Sequence, residues 1–86
     1  MRTLSDNQKA QMLNELAKST PITVVAPLGD GEAILFAQEI HAFLQSNGFT
    51  MKEPGGISQS VFSGVVKGLQ MRNEPNGEIT LIVGAA

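Results

Sequence analysis

The run from Ile22 to Ile34 most constrains what this chain can fold into. It passes from an uncharged, β-branched stretch (Ile22, Thr23, Val24, Val25, Ala26) through Pro27-Leu28-Gly29-Asp30-Gly31 into a helical pattern. A strand that feeds a helix through glycines is the opening of a βαβ unit, and α/β sheets collect ligands where strand ends meet helix starts. Apolar residues on both faces of Ile22–Ala26 predict a central strand, and Pro27 ends its pairing. Ile22, Val24 and Ala26 then point to one side, Thr23 and Val25 to the other.

Asp30 is placed to cap the helix that follows, with Glu32 in its first turn. Ala33, Phe36, Ala37, Ile40, Phe43 and Leu44 recur at helical spacing, and Asn47-Gly48 supplies a left-handed stop. An earlier helix is announced by Ser5-Asp6-Asn7-Gln8, the spacing of a capping box. Its apolar stripe is Met12, Leu13, Leu16 and Ala17, and Lys18 and Pro21 mark its end. After the second helix, Phe49–Glu53 predicts a short edge strand and Pro54–Ser60 a loop. Val65–Arg72 alternates weakly as a strand, Asn73–Gly77 carries a hairpin signal in Asn76-Gly77, and Glu78–Val83 returns as an apolar strand.

The expected fold is therefore α/β, an α+β two-layer arrangement in the order α-β-α-β-β-β, with 1–86 as a single domain. The four-stranded mixed sheet takes the order 2-1-4-3, putting its two most apolar strands in the middle, and both helices pack on one face. Ile22, Val24, Ala26, Ile79, Leu81 and Val83 meet the helices. Thr23, Val25, Thr80 and Ile82 lie on the opposite face with nothing in the chain to cover them, which makes them candidates for an oligomer interface. With 86 residues, such a chain buries only about 60–65% of its unfolded surface. The four phenylalanines, Phe36, Phe43, Phe49 and Phe62, are read as core.

Several residues in this pattern resemble a loosely defined group of uncharacterised bacterial cytosolic α/β domains: Leu4–Gln8, Gly29–Ala33, Phe36-Ala37, Phe43-Leu44, Gly48-Phe49, Gln59–Phe62 and Gly68-Leu69. The resemblance covers most of the chain and rests on turn and packing residues. It implies the fold above, a cytoplasmic setting, and a domain that often follows a membrane-anchoring or coiled-coil segment at the C-terminal end of a longer protein. It implies no activity.

The residues themselves exclude more chemistry than they suggest. Six Lys and Arg are scattered without a cluster, which argues against nucleic acid as partner. No cysteine is present, so thiol catalysis, disulfides and Cys-ligated zinc drop out. No apolar run reaches the roughly 20 residues of a membrane span.

Gly29-Asp30-Gly31 matches the first glycines of a dinucleotide fingerprint, with Glu53 well placed downstream. Ile34 stands at the third glycine position, however, and Asp30 and Glu32 put negative charge where a pyrophosphate would sit. No Gly-Lys-Ser/Thr follows, so a P-loop is excluded. Two carboxylates make a poor hard-cation site, and no metal or cofactor is expected. His41 is the sole histidine and sits on the margin of the apolar stripe, as a flank histidine bonded to water or backbone does. Ser58, Ser60 and Ser63 lack a nucleophile elbow.

The expectation is a non-enzymatic interaction or oligomerisation domain, a homodimer formed through the spare sheet face or an edge strand. The alternative is a small-ligand sensor for a nucleotide or anion. Its pocket would join Gly29, Asp30, Gly31 and Glu32 to Ser58, Gln59 and Ser60.

Overall fold

The computed structural model describes residues 2–86. Helix α1 (Asp6–Glu15) begins at the expected capping box: Ser5 Oγ accepts from the Gln8 N–H, and the Gln8 side chain accepts from the Ser5 N–H. Strand β1 (Ile22–Pro27) leads into α2 (Gly31–Ser46), whose first turn is capped by the Asp30 carboxylate accepting from the Ala33 N–H at 3.1 Å. Strands β2 (Ser58–Ser60), β3 (Leu69–Asn73) and β4 (Ile79–Val83) complete a sheet of order β2-β1-β4-β3. β1 runs parallel to β2 and β4, and β3 is antiparallel to β4.

The parallel β1–β4 pair sets Ile22 beside Ile79, Val24 beside Leu81 and Val25 beside Ile82. The expected inward set of Ile22, Val24, Ala26, Ile79, Leu81 and Val83 is buried against Ala33, Phe36, Ala37, Ile40 and Leu44 of α2 and Met12 and Leu16 of α1. Both helices thus cover the same face. The helix–sheet core is apolar, and Ile22, Val24, Ile40, Leu44 and Val83 lose essentially all contact with water.

Four readings change. Met51 of the expected Phe49–Glu53 strand makes a single parallel bridge to Ile22, and the edge strand proper lies at Ser58–Ser60, read as loop. Pro54 has no N–H to donate and Gly55-Gly56 turn the chain outward, so the ladder breaks after Lys52 and resumes at Ser58. The third strand is Leu69–Asn73 rather than Val65–Arg72, because residues 61–68 carry the chain across from one sheet edge to the other. Helix α1 ends at Glu15, leaving Leu13 and Ala17 exposed while Leu4, preceding the cap, is buried. Phe62 lies outside the core and is half-buried in the crossing segment.

His41 is buried, with Nε2 2.9 Å from the Glu53 carbonyl oxygen. It has the backbone partner expected of a flank histidine, and it ties α2 to the point where the edge strand breaks. The hairpin closes over Pro75-Asn76-Gly77, where Gly77 at φ 87° donates to the Glu74 carbonyl at 3.0 Å.

Because Ile40 is fully buried on the core side of α2, Ile40→Ala leaves a cavity that a thin core cannot close. We expect a loss of about 2–5 kcal/mol, read as a lower urea midpoint at unchanged slope.

Candidate functional site

The carboxyl ends of β1, β2 and β4 gather three pieces of chain. The first is the β1–α2 turn. Leu28 N–H donates to the Ser60 carbonyl at 2.9 Å, locking the turn to β2, and Asp30 N–H donates to the Pro27 carbonyl at 3.2 Å. Gly29 takes φ 85°, a left-handed conformation costing a residue with a Cβ about 1–2 kcal/mol. Gly31 has ordinary φ and open space where a Cβ would stand, so no close approach of backbone to a ligand demands it.

The second piece is the crossing segment. Val65 and Val66, with Val61, Phe62 and Gly64, roof a cavity of about 310 Å³ whose floor is Pro27, Leu28, Asp30 and Ser60. Of the residues expected to form a ligand pocket, Asp30 and Ser60 converge here. Ser58 instead donates its hydroxyl to Glu53 Oε2 at 2.7 Å, and Gln59 is exposed. Among the described residues Asp30 is the one charged residue lining the cavity, so an anion entering it would meet a carboxylate there. Val61 and Val65 stand more than four-fifths exposed on its rim.

The third piece is the N-terminal arm. Arg2 clasps Glu32 through Nη2 to Oε1 at 2.7 Å, Nε to Oε2 at 3.0 Å and its backbone N–H to Oε2 at 3.0 Å. Its guanidinium also donates to the Gly84 carbonyl at 2.6 Å and lies 4.7 Å from the Phe36 ring centre. The hydrogen bonds from Arg2 hold the Glu32 carboxyl at about 2, below its ordinary 4.5. Glu32 is therefore a structural anion committed to the arm, not an open ligand. Leu4 N–H donates to Glu39 Oε2 at 3.0 Å and extends the clasp along α2.

Gly84 joins these pieces. It donates its N–H to the Gly68 carbonyl at 2.7 Å, accepts from Arg2, and packs so close to the crossing segment that an added Cβ would overlap the Val66 carbonyl and the Lys67 nitrogen. Arg2 and Gly84 escaped the sequence reading because nothing in local spacing ties residues at opposite ends of the chain. Among the described residues, no group of three or more His, Asp or Glu converges as a metal site would require.

No protein-family model, curated protein or solved structure matches the chain.

The opposite face of the sheet holds the other candidates. Val25, Thr80 and Ile82 are each less than a tenth exposed and Thr23 is half-buried, shielded by their own neighbours. Thr80 donates to Glu74 Oε1 at 2.9 Å, which also pairs with Arg72 at 2.8 Å, and Lys52 pairs with Glu78 at 2.8 Å. Hydrogen bonds from Arg72 and from Lys52 lower the Glu74 and Glu78 carboxyls respectively, and Glu78 raises the Lys52 ammonium. A band of solvated charge therefore borders the Thr23/Val25/Thr80/Ile82 patch.

The two sheet edges differ. The β2 edge is broken: Ile22 to Val25 advances three residues along β1 while Met51 to Ser58 advances seven along the edge, and the excess bulges out. The β3 edge is an unbroken run, exposed from Gln70 to Asn73. Its apolar Leu69 and half-exposed Met71 open onto a groove of about 340 Å³, walled on the α1 side by Gln8, Gln11 and Glu15.

Because the folded-state pKa of Glu32 lies below its unfolded value, its contribution to stability is full above about pH 4.5 and is lost as pH falls toward about 2. Acid titration of the thermal midpoint should show Glu32→Gln falling less steeply than the wild type over that window. Equal slopes would contradict the clasp.

Proposed function

We propose that this chain is a non-enzymatic interaction domain that self-associates through the free edge of β3. The observation that carries the reading is the asymmetry of the sheet. One edge is interrupted by Pro54-Gly55-Gly56, a device that blunts strand addition, and the other presents Leu69–Asn73 with no proline or bulge and, among the described residues, no cover. Unpaired backbone donors and acceptors at such an edge recruit another strand.

The spare sheet face supports association less well. Val25, Thr80 and Ile82 already surrender most of their surface within one chain, so a partner there gains little apolar burial and must dehydrate the Lys52–Glu78 and Arg72–Glu74 pairs. A small-ligand sensor at the glycine turn is the second reading. The cavity beside Asp30 and Ser60 favours it, while the lone carboxylate in the lining disfavours a nucleotide or anion.

Strand addition over five residues falls in the small, transient class of interface, below about 1,200 Å² in total, with half-association expected at about 10 μM to 1 mM. Light scattering after size exclusion should show a mass rising from monomer toward dimer across that range. Met71→Lys, an exposed change, should hold the chain monomeric, and Thr23→Lys on the sheet face should leave association intact. Association lost in Thr23→Lys and retained in Met71→Lys would transfer the reading to the face, and a wild type monomeric throughout would end it.

A further inference from the structure

The hydrogen-bond phase of β3 determines which of its backbone groups are free. Glu74 donates to the Glu78 carbonyl at 2.8 Å and Gly84 donates to the Gly68 carbonyl at 2.7 Å. Both pairs lie on the register that sets Gln70 opposite Ile82 and Arg72 opposite Thr80. Bonded pairs alternate along an antiparallel ladder. Gln70 and Arg72 therefore direct N–H and C=O toward β4, and Leu69, Met71 and Asn73 direct theirs outward. The outward set is symmetric about Met71, the middle residue of the strand.

Resting on the self-association reading above, we infer that β3 pairs antiparallel with β3 of a second copy about a two-fold axis at Met71. The result is one continuous sheet, β2-β1-β4-β3 followed by β3-β4-β1-β2 of the partner copy. In this register Met71 faces Met71 and Leu69 faces Asn73 across the axis, and every outward N–H and C=O of the strand finds a partner, roughly six hydrogen bonds. Centring on Gln70 or Arg72 instead leaves part of the set unpaired, with roughly four bonds.

Charge opposes two of the alternatives. About Met71, Arg72 faces the neutral Gln70 of the other copy. Glu74, already paired with Arg72 of its own chain, faces the uncharged Gly68. Centring on Arg72 sets the two Arg72 side chains directly opposite, and a parallel alignment in register also brings them side by side. Like charges in those positions are destabilising. Met71, half-exposed in one chain, meets its own copy across the axis.

The absence of cysteine makes disulfide mapping clean. Facing residues in an antiparallel pair lie about 4.5–5.5 Å apart at Cα, within disulfide reach, and diagonal ones about 7–8 Å apart, beyond it. Under mild oxidation, Met71→Cys should form a covalent dimer, and an equimolar mixture of Gln70→Cys with Arg72→Cys should form a heterodimer that neither forms alone. A dimer by light scattering that cross-links instead through Gln70→Cys alone or Arg72→Cys alone would overturn the register and keep the self-association reading. A dimer that cross-links at none of these positions would place the contact elsewhere and overturn the inference. A chain monomeric by scattering at all concentrations would overturn both, leaving the edge to water or to a strand of another protein.

Discussion

The parallel pairing of β1 with β4 is the constraint on which the structure depends. These two strands contribute the fully or nearly fully buried Ile22, Val24, Ala26, Leu81 and Val83, and a parallel pair has to be joined by long connections. Between them the chain must build α2, an outer strand and a return path. The return path is the crossing segment from the β2 edge to the β3 edge, and it runs over the carboxyl ends of the central strands because the helices occupy one face. That single route creates the cavity beside Asp30 and Ser60, demands a glycine at position 84, and delivers β3 to an edge where nothing follows it.

The same geometry accounts for the clasp at the N-terminus. In an α/β sheet the crevice beyond the strand ends, next to a helix N-terminus, is the usual position of a ligand. Here Glu32 and the Gly84 carbonyl stand at that position and are taken up by Arg2. The charge at the site belongs to the fold's own closure. A partly exposed ion pair is a modest stabiliser by itself. The backbone N–H of Arg2 and the Phe36 ring add to it, so the arm is held by several weak contacts of different kinds.

Local signals in the sequence were legible where the chain talks to itself over a few residues. The Ser5 capping box, the Asp30 cap, the Asn47-Gly48 stop, the inward alternation of β1 and β4 and the strand order all follow from spacing and from which segments lack charge. The misplaced edge strand shows the limit. Phe49–Glu53 has better strand residues than Ser58-Gln59-Ser60, but Phe49 and Met51 are used to close the core, and pairing with β1 resumes only past the Pro54-Gly55-Gly56 bulge. Val65–Arg72 reads as strand because Val65, Lys67, Leu69 and Met71 alternate with their neighbours, yet Val65–Gly68 belongs to a path set by where both sheet edges lie. The Arg2–Glu32–Gly84 contact and the outward phase of β3 are properties of the assembled sheet, and no window of sequence contains them.

Amide hydrogen exchange, resolved residue by residue at two protein concentrations, tests the central claim most directly. In dilute solution the amides of Gln70 and Arg72, bonded to β4, should be protected, and those of Leu69, Met71 and Asn73 should exchange as free groups. Raising the concentration should protect that alternate set and leave the amides of the β2 edge unchanged. Free exchange of Leu69, Met71 and Asn73 at every concentration, or new protection confined to the Thr23/Val25 face, would contradict the account.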